Sequence, residues 1–266
     1  MKIDDAATAP VQKESTKSHW ENFWENKKEV REVYSNNNRV LRNLLKVTDL
    51  RGKNVLEVGA GTGRDSFKLT DHGANVFMLD YAAGSLKIIK EIAFEEKVDV
   101  NMIGGDAFRL PFDDGSFDVV FHQGLLEHFR ENDALRLLKE NVRVLKKGGL
   151  LLVDVPQRYH VYTAMKHTLI SIDKWFAGWE REFSVGELSD ILKGLQLEPI
   201  YRYGEWMYPS LAYRVMREGL MKLGLKLPLY PKVSNFTSNF RGKLRARFST
   251  SLALHTGISI GVIARK

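Results

Sequence analysis

The 266-residue chain contains no cysteine. Disulfides, thiolate metal sites, iron–sulfur clusters and cysteine nucleophiles are therefore excluded. No apolar run is long enough to span a bilayer. The first ten residues carry Asp4 and Asp5 and no apolar core, so they do not read as a signal peptide, and a cytoplasmic location is the expectation. Acids are also scarce in one long stretch. Between Glu205 and Gly257 only Glu205 and Glu218 are acidic, against nine lysines and arginines. That excess of seven equals the formal net charge of the whole chain, +7. The imbalance is local and predicts one basic face.

What is present is ordinary for a globular protein: 44% hydrophobic and 27% charged residues. The length suits one α/β domain with additions. His19 to Leu45 reads as helical, interrupted at Asn36-Asn37-Asn38. From there strands and helices alternate. The strands are expected at 54–58, 75–79, 98–103, 118–121 and 150–155, with helices at 64–72, 85–96 and 133–145 between them. Lys146-Lys147-Gly148-Gly149 reads as a cationic helix end with a glycine cap. A helix at 184–194 opens on Ser184 and Glu187, a capping-box pair. Strands at 197–203 and 259–264 complete the set. The expected fold is a Rossmann-like, doubly wound α/β sheet of seven strands, mostly parallel with an antiparallel last strand, plus helical insertions. One domain over 1–266 is expected: an N-terminal helical cap (1–49), a ligand-binding core (50–156), a lid insertion (157–181) and a basic helical insertion (205–257).

The chemistry centres on Gly59-Ala60-Gly61-Thr62-Gly63, which follows the first strand and precedes a helix. Glycines permit the sharp turn and a close approach of ligand to backbone. Alone, this pattern also describes a plain strand–helix turn. Its spacing is G-x-G-x-G, shorter than the dinucleotide fingerprint G-x-G-x-x-G. Asp80 ends the second strand, where an acid can take both hydroxyls of a ribose. Asp106 follows the third. Acids on successive strand ends beside such a loop outline a nucleoside cleft.

Val55-Leu56-Glu57-Val58-Gly59-Ala60-Gly61-Thr62-Gly63 resembles the first motif of class I S-adenosylmethionine-dependent methyltransferases. Gly105-Asp106-Ala107-Phe108-Arg109-Leu110-Pro111-Phe112, then Ser116-Phe117-Asp118-Val119-Val120, resembles later motifs of their ubiquinone/menaquinone-type branch. Val144-Leu145-Lys146-Lys147-Gly148-Gly149 matches as well. The resemblance spans roughly residues 50–156 and implies S-adenosylmethionine as cofactor, with S-adenosylhomocysteine as product. By position it implies Glu57, Gly59, Ala60, Gly61 and Gly63 against the methionine part and Asp80 on the ribose. Tyr81, Asp106, Ala107 and Phe108 would lie around the adenine, and His122 and Gln123 at the sulfonium end. Related enzymes with a Glu-x-x-Glu-His pattern bind a metal there. Gly124 replaces the first Glu in Gly124-Leu125-Leu126-Glu127-His128, so no metal is expected.

Methyl transfer to a hydroxyl needs a base. His122 and His128 are the candidates, because imidazole accepts a proton near neutrality, whereas Glu127 would first need its pKa raised. His128 could equally serve to cap or pack the helix end. In the lid insertion, Val161, Met165, Thr168, Leu169, Ile172, Trp175 and Phe176 fall at helical spacing, flanked by Arg158, Lys166 and Lys174. They predict a helix that turns this face onto the active site, or one that lies on a membrane. The basic insertion, divided at Pro228 and Pro231, would attract anionic lipid, a lipid-linked intermediate or RNA. The expected acceptor is a small or lipid-linked metabolite, methylated at oxygen, with peripheral contact to an anionic membrane. An RNA methyltransferase and a non-enzymatic cofactor-binding protein are the alternatives.

Overall fold

The computed structural model describes residues 16–25, 38–172, 175, 177–231 and 235–266. The expectations for Asn36, Asn37, Lys174, Phe176 and Lys232 lie outside the described residues.

Seven strands form one sheet in the order β3-β2-β1-β4-β5-β7-β6. They are β1 (Asn54–Val58), β2 (Asn75–Asp80), β3 (Asn101–Gly104), β4 (Phe117–Gln123), β5 (Leu145–Pro156), β6 (Glu198–Glu205) and β7 (Ser259–Arg265). The first five pair in parallel, and β7 runs antiparallel to both β5 and β6. Strands covered on both faces carry near-continuous apolar runs. In β1 all residues but the first are buried, and β4 buries five of its seven.

The helices before β5 are α1 (Lys17–Glu25), α2 (Arg39–Leu44), α3 (Arg64–Thr70), α4 (Ala83–Glu96) and α5 (Glu131–Val144). Then come α6 (Val161–Ser171), α7 (Val185–Gly194), α8 (Leu211–Lys222), α9 (Asn235–Phe248) and α10 (Ala253–Thr256). One core unites Leu56, Val120 and Leu151 with α5 and α7. The other unites Val55, Phe121 and Leu152 with α2 and α3. Strand order reverses between β1 and β4, and the crevice at such a switch point is where open α/β sheets bind ligands.

Two local expectations are corrected. Leu145, after the last residue of α5, has extended backbone (φ −79°, ψ 133°), so α5 runs directly into β5 without a glycine cap. Lys146 Nζ instead bonds Asp118 Oδ2 at 2.8 Å and fixes the strand start. The apolar stripe of α6 does not face inward. Val161 is 71% exposed and Ile172, just after the helix, 54%, while Lys166 and Ile170 are buried. The physical reason is the neutralisation of Lys166. Its Nζ lies 2.6 Å from both Glu180 and Glu182, and a fully paired cation can be buried.

The basic insertion is helical, with Pro228 and Pro231 between α8 and α9. Several of its cations are internal. Arg214 donates to the carbonyls of Pro209 and Tyr208, and Arg217 to that of Leu227. Arg245 pairs with buried Glu205 at 2.9 Å. Lys222, Lys226, Arg241, Lys243 and Arg247 are exposed.

Candidate functional site

The glycine loop is tied to the end of β2. The amides of Gly59 and Ala60 donate to the carbonyl of Leu79 at 2.8 and 3.0 Å. Asp80 Oδ2 accepts the amide of Gly61 at 2.8 Å and Oδ1 that of Ala82 at 2.9 Å. Ser85 Oγ, in the first turn of α4, donates to the Gly61 carbonyl at 2.6 Å. Loop, acid and helix start thus form one hydrogen-bonded unit, and Asp80 is buried within it.

Two more acids lie under the loop. Glu57 is buried at the end of β1 and accepts a hydrogen bond from Ser66 Oγ. Asp65, in the first turn of α3, is buried as well. Burial and then the charge of Asp65 push the Glu57 carboxyl well above the usual carboxylate range, and Asp80 adds to this. Burial likewise raises Asp80, against the amides it accepts. A helix N-terminus behind a glycine loop ordinarily invites a phosphate. Here Asp65 places a carboxyl in that first turn, next to Arg64.

Above this floor is a cleft of about 790 Å³. Trp20 and Trp24 of α1 line it opposite the loop. A Cβ on Gly61 would sit 3.0 Å from the Trp24 ring, and one on Gly59 2.9 Å from Leu125, so only bare backbone fits at these points. Glu57, Gly59, Ala60, Gly61, Asp80, Tyr81, Asp106, Ala107, Phe108, Gln123 and His128 all line the cleft. Asp106 Oδ1 accepts the amide of Phe108 at 2.9 Å, which holds that turn.

Gly63 and His122 are not among the lining residues. Gly63 caps α3 with left-handed backbone (φ 63°), and a Cβ there would lie 2.5 Å from the Met78 sulfur. Its glycine is needed for helix–sheet packing. His122 is fully buried within β4, and neither ring nitrogen has a hydrogen-bond partner. Alternation along the strand puts it on the Val120 face, toward the α5 core.

The acid–base expectation turns around at the same place. Burial pushes His122 down to about 3 and His128 to about 4. Both imidazoles are neutral at pH 7 and weak as proton acceptors. His128 packs edge-on against Trp20, with ring centroids 4.9 Å apart, and its Nδ1 lies 3.8 Å from Glu180. Glu127 is fully buried in the turn Leu126–His128. Burial and the neighbouring Glu180 push it up to about 8.

The family model described as "Methyltransferase domain" matches residues 56–153. That stretch is similar to the methyltransferase domain family. A demethylmenaquinone methyltransferase of Renibacterium salmoninarum is 41% identical over 102 residues, 38% of this chain and 40% of that protein. A ubiquinone biosynthesis O-methyltransferase of Coxiella burnetii is 31% identical over 127 residues, 48% of this chain and 53% of that protein. The chain thus spans roughly half or less of the curated relatives it matches. A solved S-adenosylmethionine-dependent methyltransferase from Thermotoga maritima superposes with a TM-score of 0.58 at 21% identity, over 85% of this chain and 86% of that one. That likeness shows the fold.

The cleft also has lining residues that the motifs do not mark: Asp65, Arg64, Leu125 and Phe129, together with Lys17, Trp20 and Trp24 of α1. Asp65 had a signal, an acid two residues after the last loop glycine. Asp154 had one too, an acid inside an aliphatic strand. It is fully buried, with Arg39 at 2.7 Å and the Tyr203 hydroxyl donating at 2.7 Å. Glu180 and Glu182 had none, because their partner Lys166 is 14 and 16 residues away.

Proposed function

We propose that the chain is an S-adenosylmethionine-dependent methyltransferase acting on a small or lipid-linked metabolite at oxygen. The observation that carries this reading is the set of three buried carboxyls, Glu57, Asp65 and Asp80, around one glycine loop. A ligand with an ammonium, a sulfonium and a ribose suits them better than one with a pyrophosphate beside Asp65. Glu57 and the loop backbone would hold the amino-acid end, and Asp80 the ribose hydroxyls. Tyr81 and Asp106 to Phe108 would flank the adenine, with Gln123 and His128 at the sulfonium end. The bound cofactor supplies an activated methyl group, its sulfur leaving as a neutral thioether. The chain's part is to align the acceptor, exclude water with Trp20 and Trp24, and take a proton. The names of the two relatives point to quinone-type acceptors.

The exposed cations of α8 and α9, together with exposed Leu223 and Leu225 between those helices, suit peripheral contact with an anionic membrane. Among the described residues no helix is long and apolar enough to cross one. The test of function is radiochemical. Tritium from the cofactor methyl group should pass to a hydroquinone and be absent from transfer RNA. Label in the RNA alone would move the reading to an RNA methyltransferase.

A further inference from the structure

The acids that line the cleft are Glu57, Asp65, Asp80 and Asp106, carried by α3 and by the ends of the first three strands. The end of β4 differs. There the lining is Gln123, Gly124, Leu125, His128 and Phe129, with no carboxylate among the described residues at that end. Glu180 lies 3.8 Å from His128 Nδ1, but behind that ring and outside the lining. His128 itself is neutral at pH 7, because burial holds its pKa down to about 4. Facing this end from α1 is Trp20, whose ring centroid lies 4.9 Å from that of His128. Trp24 follows four residues later, on the same face of the helix.

No residue of α1 is fully buried, yet its C-terminal end is closely seated on two glycines. Trp24 Cζ2 and Cη2 lie 3.0 and 3.2 Å from where a Cβ would stand on Gly61. The Trp24 carbonyl carbon and Cβ lie 3.0 Å from where one would stand on Gly84, in the first turn of α4. Both indoles are therefore held over the cleft, and both lie outside the stretch 56–153 that matches the family model. The cations of the lining stand elsewhere. Lys17 Nζ is 5.6 Å from the centre of the Tyr81 ring, at the end of β2, and Arg64 opens α3 beside the loop.

We infer that Trp20 and Trp24 are specificity-determining residues that hold the methyl donor by its positive charge and release the product that has lost it. This rests on the S-adenosylmethionine reading of the cleft. S-adenosylmethionine carries a sulfonium, whereas in S-adenosylhomocysteine the same sulfur is a neutral thioether. The glycine loop, Glu57 and Asp80 meet groups common to both ligands and cannot tell them apart. A tryptophan ring can, since it attracts a nearby cation through its π face and has no such attraction for a thioether. With aromatic rings and neutral side chains around the β4 end, the charge on sulfur is what those rings read.

The test is calorimetric titration of the full chain with each ligand. Trp20→Leu and Trp24→Leu keep apolar bulk and remove the π face. Each should weaken S-adenosylmethionine binding about five- to tenfold and change S-adenosylhomocysteine binding by less than about twofold. Trp20→Phe, with a weaker π face, should fall between Trp20→Leu and the native chain. Retained S-adenosylhomocysteine binding shows in the same experiment that the variants are folded. Equal weakening of both ligands would make the rings a plain cover, and unchanged S-adenosylmethionine binding would take them out of the site; either result overturns the inference. No S-adenosylmethionine binding by the native chain would instead overturn the reading beneath it.

Discussion

Asp80 Oδ2 accepts the backbone amide of Gly61 at 2.8 Å, so the ribose-facing acid and the glycine loop are a single piece of structure. Removing that carboxylate loses a ligand contact and loosens the loop together. Asp80→Ala should weaken S-adenosylmethionine binding about 10- to 100-fold, the scale of a hydrogen bond to a charged group. Asp80→Asn should lose less, because one amide oxygen can still accept from Gly61. Calorimetric titration of both variants checks the order.

Glu57 predicts a pH dependence with a definite sign. In the ligand-free cleft its pKa is raised by burial and by Asp65, so the neutral acid is favoured. A bound ammonium favours the carboxylate and lowers that pKa. Below the ligand-free pKa, binding therefore releases a proton, and affinity rises as pH increases toward it. Titrations in two buffers of different ionisation enthalpy should reveal the proton. Glu57→Gln should abolish the release and flatten the profile.

Much of this site could be read in advance, for a physical reason. The loop, Asp80 and Asp106 lie at consecutive strand ends, and parallel topology brings such ends together regardless of side-chain detail. The acid–base pair could not be read this way. Imidazole has the better intrinsic pKa, but burial lowers a base and raises an acid, and it takes His122 to about 3 and Glu127 to about 8. The orientation of α6 was hidden similarly. Its apolar spacing around Val161 and Met165 suggested a buried face, whereas the ion pairs of Lys166 with Glu180 and Glu182 decide which face turns in.

Those ion pairs give a stability prediction. Lys166→Met would leave buried Glu180 and Glu182 with only histidine neighbours, His128 at 3.8 Å and His167 at 2.6 Å, and should cost about 3–5 kcal/mol. Adding Glu180→Gln and Glu182→Gln to that variant should recover most of the loss. Chemical denaturation of the single and triple variants measures both.

Glu127 also leaves a mark on stability. Burial pushes its folded pKa up to about 8, above the ordinary 4.5 of a glutamate in the unfolded chain. The folded state therefore holds the proton more tightly, and this contribution is full below about pH 4.5 and lost as pH rises through about 8. Glu127→Gln should raise the thermal midpoint at pH 8.5 by on the order of 5 °C and change it little at pH 4.5. Scanning calorimetry at the two pH values checks this.

The basic face divides into structural and exposed cations. Replacing Lys222, Lys226, Lys243 and Arg247 by Ala should abolish retention on phosphatidylserine vesicles without lowering stability. Arg245→Ala should instead destabilise the fold, because it leaves Glu205 with Arg42 alone among the acid's two observed arginine partners. Vesicle sedimentation beside thermal melts separates the two effects, and salt-sensitive RNA retention without vesicle binding would contradict the membrane assignment.

Three buried acids and a glycine loop together suit a cationic nucleoside. Isothermal titration of the full chain with S-adenosylmethionine and with NAD tests it most directly. S-adenosylmethionine should bind one-to-one, more weakly in Asp80→Ala, and NAD should give no heat. Binding of NAD, or no binding of S-adenosylmethionine, would contradict it.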